Sequence, residues 1–315
     1  INGAMQIAQR GTSGFTTNGA YHIDRYRTYM PAATFAISQS TDAPTNFINS
    51  IKVDISTGVT PSASNGGGTF MSLEGQDIAR LNWGTANAKS ITVSFWVKAN
   101  NTGTYSISIE NAAGSIGSGS HSYVAEYSIS VADTWEKKEI TIAGPTVGTW
   151  TTDNTIGLCF HFSHGAGSDF STGTTGSWQS GLYRQSTNQF ALQATTGANW
   201  YVTGFQLEVG ETATPFEHRS YGDELRRCQR YYWRTAEGNN KSIMMASGYS
   251  TADIRGVIRF PVRMRSAPSG DFASGTNYFY LELAAGADYV NSFTVAYSSY
   301  DSILLYNNTE ASVTA

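Results

Sequence analysis

Apolar side chains recur along most of this chain at every second position, the period of a strand with one buried face. Ile51, Val53 and Ile55 alternate with Lys52 and Asp54, and Ile91, Val93, Phe95 and Val97 with Thr92, Ser94, Trp96 and Lys98. The same alternation runs through Tyr105–Ile109, Tyr123–Val131, Ile156–Phe162 and Tyr201–Val209. Clusters of Gly, Asn, Ser and Thr separate these runs. Many short strands punctuated by such turns predict an all-β, two-sheet sandwich. The longest gap, Ser163 to Tyr183, is rich in Gly, Ser and Thr, and its length marks it as a functional loop. Residues 1–21 are polar and Gly-rich with little periodicity, which predicts an extended N-terminal arm or linker.

A different period appears after residue 218. Leu225, Cys228 and Tyr232 fall on one helical face, Ser220 can cap it, and Asp223 and Glu224 suit its first turn. The spacing predicts a helix over 221–232. Beyond it Ile254, Gly256, Ile258, Phe260, Val262 and Met264 alternate with Arg255, Val257, Arg259, Pro261, Arg263 and Arg265. That pattern predicts a long strand with an arginine face, broken or placed at an edge near Pro261. Further strands are predicted over 278–283, 292–297 and 302–306. The organisation expected is an arm (1–21), a sandwich (22–218), and a C-terminal domain (219–315) of one helix and a small β unit.

Charge supports the same division. Residues 1–218 carry net −5, residues 219–265 net +6, and residues 266–315 net −5 with no basic residue. The arginine face is therefore expected at a subunit interface, against the acidic end of the chain, or against an anionic partner. With only 14% charged residues and 32 glycines, the composition opposes a helical bundle. A net charge of −4 opposes non-specific nucleic-acid binding, and no apolar run is long enough to insert as a membrane helix. Two cysteines, Cys159 and Cys228, are too few for a disulfide scaffold.

Several segments together resemble a known family. Ser72-Leu73-Glu74-Gly75-Gln76 precedes Ser94-Phe95-Trp96-Val97-Lys98-Ala99, then Trp135-Glu136-Lys137-Lys138 and Gly204-Phe205-Gln206-Leu207-Glu208-Val209-Gly210. This order resembles the carbohydrate-binding-module type of jelly roll found in bacteriophage tail fibres and related receptor-binding virion proteins. Ala213-Thr214-Pro215-Phe216-Glu217-His218-Arg219, followed by Cys228-Gln229-Arg230-Tyr231-Tyr232, resembles the junction of such a module with a small C-terminal domain. The resemblance implies an exposed virion fibre protein that adheres to host cell-surface polysaccharide as a homotrimer. It also implies a second virion protein as partner of the N-terminal arm. A capsid-attached structural or decoration protein is one alternative, and the binding module of a secreted polysaccharide-degrading system is another. A structural Ca²⁺ is implied by the resemblance, without ligands that spacing can name.

Sugar binding calls for exposed rings with short polar side chains nearby. Trp96 lies on the polar face of its strand, and Trp150, Trp178 and Tyr183 lie in or beside loops, so these four are the glycan-binding candidates. Trp135 and Trp200 fall in strands and are assigned to packing. Arg255, Arg259, Arg263 and Arg265 are the interface or anionic-partner candidates. Glycoside hydrolysis needs a pair of carboxylates, and Glu74, Glu110, Glu126, Glu136 and Glu208 are on offer with nothing to mark a pair. No catalytic residue is assigned. Cys159, His161 and His164 lack a recognised metal-ligand spacing, and Cys159 and His161 are expected on an outer face.

Overall fold

The computed structural model describes residues 1–250, 252–283 and 286–308. The chain divides into two compact units, residues 1–224 and residues 225–315.

The first unit is a two-sheet sandwich with a jelly-roll course. Its strands are β1 (Tyr26–Tyr29), β2 (Thr34–Ser40), β3 (Ser50–Thr57), β4 (Gly66–Glu74), β5 (Ile91–Ala99), β6 (Gly103–Gly114) and β7 (His121–Ile129). They continue with β8 (Glu136–Ile142), β9 (Ile156–Ala166), β10 (Ser171–Thr172), β11 (Trp178–Ser180), β12 (Gln185–Ser186) and β13 (Asn199–Val209). One sheet runs β2-β3-β13-β5-β8 and the other β1-β4-β9-β6-β7-β11. The chain crosses repeatedly between the two, so the inward side chains of both sheets share one core. Phe95, Phe160, Phe162, Trp200 and Phe205 are buried at its centre and meet edge-on or tilted. The inward sets are those the alternation predicts, except in the first half of β13. There Trp200 and Val202 enter the core in place of the expected Tyr201 and Thr203, and the register shift after Thr203 then brings Phe205 inward.

Residues 1–21 are not an extended arm. Met5 and Ile7 are fully buried, and Met5 belongs to the main core. The Phe205 N–H donates to the Gly3 carbonyl, Gln39 Nε2 to the Met5 carbonyl, and the Ile37 N–H to the Phe15 carbonyl. Asn2 closes a local loop through Ile7 and Asp24. A few isolated apolar side chains suffice to anchor this segment, and they carry no period for a sequence reading to detect.

A short helix α1 (Gly75–Ile78) follows β4, and α2 (Tyr221–Gln229) spans the division between the units. The Ser220 hydroxyl accepts from the Asp223 N–H at 3.2 Å, as an N-cap should. Helix α2 ends three residues before the sequence-based limit, with a turn closed by the Tyr231 and Tyr232 N–H groups on the Cys228 carbonyl.

The second unit holds β14 (Ala246–Ser250), β15 (Asp253–Arg259), β16 (Phe279–Leu283), β17 (Gly286–Val290), β18 (Thr294–Ser298) and β19 (Ser302–Asn307). A four-stranded sheet runs β14-β15-β19-β18, and β16 pairs with β17. Its small core centres on Ile254, Ile258, Val290, Phe293, Ile303 and Leu305. Strand β15 stops at Arg259, short of the expected 265, because Pro261 removes a ladder donor. The arginine face on the strand is thus Arg255 and Arg259. Arg263 lies past the strand and stacks on Tyr300 at 4.8 Å, and the Arg265 N–H donates to the Arg230 carbonyl.

Candidate functional site

Trp150 and Trp178, far apart in sequence, meet at one edge of the sandwich. Each packs edge-on against Trp83, at ring centroid separations of 4.8 and 5.4 Å, and the two lie 5.5 Å apart. Tyr123 on β7, directly opposite Trp178 on β11, adds a fourth ring at 5.6 Å. Trp83 is buried, while Trp150 and Trp178 are half-buried at the rim. All three indole N–H groups are spent on backbone carbonyls. Trp83 donates to Lys89 at 2.8 Å, Trp178 to Ala143 at 2.7 Å, and Trp150 more loosely to Val147 at 3.4 Å. The rings are therefore held before any ligand arrives.

Trp83 was not singled out by sequence. Its signal is local: Asn82 and Gly84 on either side both take positive φ, which turns the loop so that the ring enters the core.

Trp96 and Tyr183 stand elsewhere. Trp96 lies on the outer face of the β2-β3-β13-β5-β8 sheet, against Phe47 and the bulge at Gly204. The Tyr183 N–H donates to Ser122 Oγ at 2.9 Å, and Ser122 faces away from Tyr123 on β7. Near Trp96, Lys98 sits 4.4 Å over the Tyr201 ring and pairs with Asp42, which also accepts from Trp135 Nε1. Burial works against the Asp42 charge, but the Lys98 and Trp135 hydrogen bonds hold its carboxyl below the usual range. Tyr201 thus has a lysine over its ring.

The expected outer face of Cys159 and His161 is covered. Both are fully buried: Cys159 packs among Phe70, Ala112, Tyr29, Ile116 and Ile156, and His161 lies on Phe70, which is covered in turn from the segment 167–190. Arg184 from that segment stacks on Phe170 and Phe70 and lies 3.8 Å from Glu110 on β6. Burial pushes Glu110 up, against the pull of Arg184 and Arg27. Burial likewise pushes the Cys159 thiol up, and lowers His161 well below its ordinary value. His164 points to the opposite face of β9, into the core against Trp200. Among the described residues no group of three or more His, Cys, Asp or Glu side chains is placed to hold a metal ion.

The five carboxylates are each engaged in the fold. Glu74 accepts from Gln76, Glu126 from Asn188, Glu136 from the Ser130 and Val131 N–H groups, and Glu208 from Thr214. Glu110 accepts from the Gly117 N–H. In the second unit Arg255 pairs with Asp253 two residues earlier on its own strand, at 2.7 Å, and lies 3.7 Å over Tyr249. Arg259 is exposed. Glu310, part of the acidic end considered for arginine pairing, lies outside the described residues.

No known protein family and no curated protein matches the chain. Solved structures do. A putative sugar binding protein from Bacteroides thetaiotaomicron is 12% identical at a TM-score of 0.38, with 66% of this chain and 97% of that chain covered. The CBM22-2 xylan-binding domain from Paenibacillus barcinonensis is 14% identical at 0.34, with 60% and 93% covered. The enzymatically active domain of bacteriophage CBA120 tailspike protein 4 is 12% identical at 0.34, with 63% and only 21% covered. At these scores the fold assignment rests on the sheet order and register described above.

Proposed function

We propose that this protein binds glycan without cleaving it, and that the Trp150–Trp178 rim is where sugar is held. The observation that carries this reading is a pair of half-buried indoles fixed by neighbouring rings and backbone acceptors. A sugar ring presents a C–H face that stacks on such a surface, and a ring already fixed loses little freedom on binding. The engagement of all five candidate carboxylates in the fold supports a non-catalytic role. Titration of the full chain with soluble polysaccharides should change tryptophan fluorescence saturably, and Trp150→Phe should weaken binding while the fold is kept. Release of oligosaccharide in the same mixture would overturn the non-catalytic reading.

The finer reading is an exposed virion fibre acting as a homotrimer, and it is supported by the sequence resemblance around 213–232. A three-fold assembly would raise weak single-site affinity through effective concentration. Light scattering should then give about three times the 34.0 kDa chain mass. A stable monomer at micromolar concentration would favour a free-standing binding module instead.

A further inference from the structure

Within the first unit a short polar chain crosses from the N-terminal segment into the core. His22 Nε2 lies 2.8 Å from Thr28 Oγ1, which lies 2.9 Å from Thr69 Oγ1, which lies 2.9 Å from His164 Nε2. All four residues are at most 1% exposed. His22 stands just before β1, Thr28 on β1, Thr69 on β4 and His164 on β9. Three hydrogen bonds need three donors, and two hydroxyls supply two. One imidazole therefore donates from Nε2 and the other accepts there. Nδ1 of each ring is buried without a hydrogen-bond partner among the described residues, so the Nε2 bonds alone tie the two imidazoles into the chain. Donor counting runs the chain in a single sense from one imidazole through both hydroxyls to the other, with the accepting ring carrying its proton on Nδ1.

This chain fastens a segment that is tied to both sheets. Gly3, Met5, Thr12 and Phe15 bond to β13 and β2. Towards the β4 side the segment has the pairing of β1, an edge strand of four residues, the Arg25 guanidinium on the Ser72 carbonyl, Arg27 over the Phe70 ring, and the His–Thr–Thr–His chain, which is the one fully buried polar tie among these. We propose that this chain is an acid-sensitive latch, which holds residues 1–29 against β4 at neutral pH and releases them when both rings take up protons.

The chemistry sets the direction. A first added proton can be absorbed, because the chain can reverse if the other ring moves its own proton to Nδ1. A second proton puts N–H donors at both ends and two cations in an apolar core. Burial holds both rings down to about 3, with Arg10 and His164 adding to the effect on His22. A released ring titrates near 6.5. The closed form thus binds fewer protons, and its advantage is full above about pH 6.5 and falls as pH drops towards 3. At pH 5 each ring should raise the opening constant about 30-fold, and the pair about 10³-fold. Two other buried groups face this region. Asp24, bonded to Gln9, is pushed up by burial, so acidification relieves it and opposes release. His161, on the opposite face of β9, is lowered by burial and acts in the same sense as the latch.

Hydrogen–deuterium exchange on the full chain at pH 7.5 and 5.0, corrected for intrinsic rates, tests this. Peptides from 1–29 should lose protection by more than about 10-fold at pH 5, while those from β3, β5 and β13 keep theirs. The His22→Gln/His164→Gln double variant should stay protected at both pH values. If that variant does not fold, His22→Gln alone, which keeps a donor for Thr28, should halve the logarithmic acid response. Unchanged exchange of 1–29, equal loss across the whole unit, or a full acid response in the variant would each overturn the latch. The last result would assign the response to His161.

Discussion

At the scale of single residues, Trp178 and Trp150 look alike in sequence and differ in how they are held. A ring in a Gly/Ser/Thr-rich loop is expected to stand free, so that truncation would leave stability unchanged. Trp178 instead lies across from Tyr123, packs on Trp83 and Trp150, and donates to the Ala143 carbonyl at 2.7 Å. Trp178→Ala removes those contacts and leaves the Ala143 carbonyl without its donor. Chemical denaturation should show a loss of about 3–5 kcal/mol. Trp150, with a longer hydrogen bond of 3.4 Å, should cost less, about 1–3 kcal/mol on truncation to Ala. Reversal of that order would mean that the cluster is built around Trp150 and that Trp178 is the free ring.

At the scale of elements, what was legible in the sequence was what repeats. Period-two alternation located β3, β5, β7 and β9 with their inward faces, because burial of one sheet face leaves that mark in the strand. It also located β13, but with the face of its first half inverted, since a bulge after Thr203 breaks the period. The helix was legible from three side chains on one face and a serine cap. Features without a period were not: the anchoring of residues 1–21 through Met5 and Ile7, and the covering of Cys159 and His161. Arg184, stacked on Phe70 and Phe170, covers the His161 side from a segment whose composition reads only as loop, and Ile116 and Tyr29 cover Cys159. Of the site, two candidate tryptophans come together, but Trp83 between them was hidden in a turn. The bulge in β13 is a similar case. The register of β13 against β5 shifts between Thr203 and Gln206, and Gly204 sits there at φ +64. An added Cβ would lie 2.8 Å from the Phe47 ring and 3.0 Å from Trp96. Gly204→Ala should therefore cost about 2 kcal/mol or more, from left-handed backbone and displaced rings together. A thermal melt of the variant checks this, and an unchanged midpoint would show that the outer-face rings yield freely.

At the scale of the whole molecule, the two units differ in how much apolar surface they enclose. Among the described residues the main core of the first unit draws on 35 buried side chains, and that of the second on seven. Burial of about 25 cal/mol per Å² of apolar surface must offset the ordering of the backbone in each unit separately. A small unit falls behind in that balance, because a larger share of its surface stays in water. Its surface also carries Tyr249, Tyr278, Tyr280 and Tyr297, each more than half exposed, which add nothing to its core. Calorimetry of the full chain should accordingly show two transitions, the smaller and cooler one belonging to residues 225–315. A fragment ending at residue 232, which retains all of α2, should keep the hotter transition within a few degrees. Lowering the pH from 7.5 to 5 should move the hotter transition down, since His22 and His164 are buried neutral in the first unit. The cooler one should move less, because neither histidine belongs to it and no histidine occurs after His218. A single transition, or a fragment that melts far below the intact chain, would mean that the units stand or fall together.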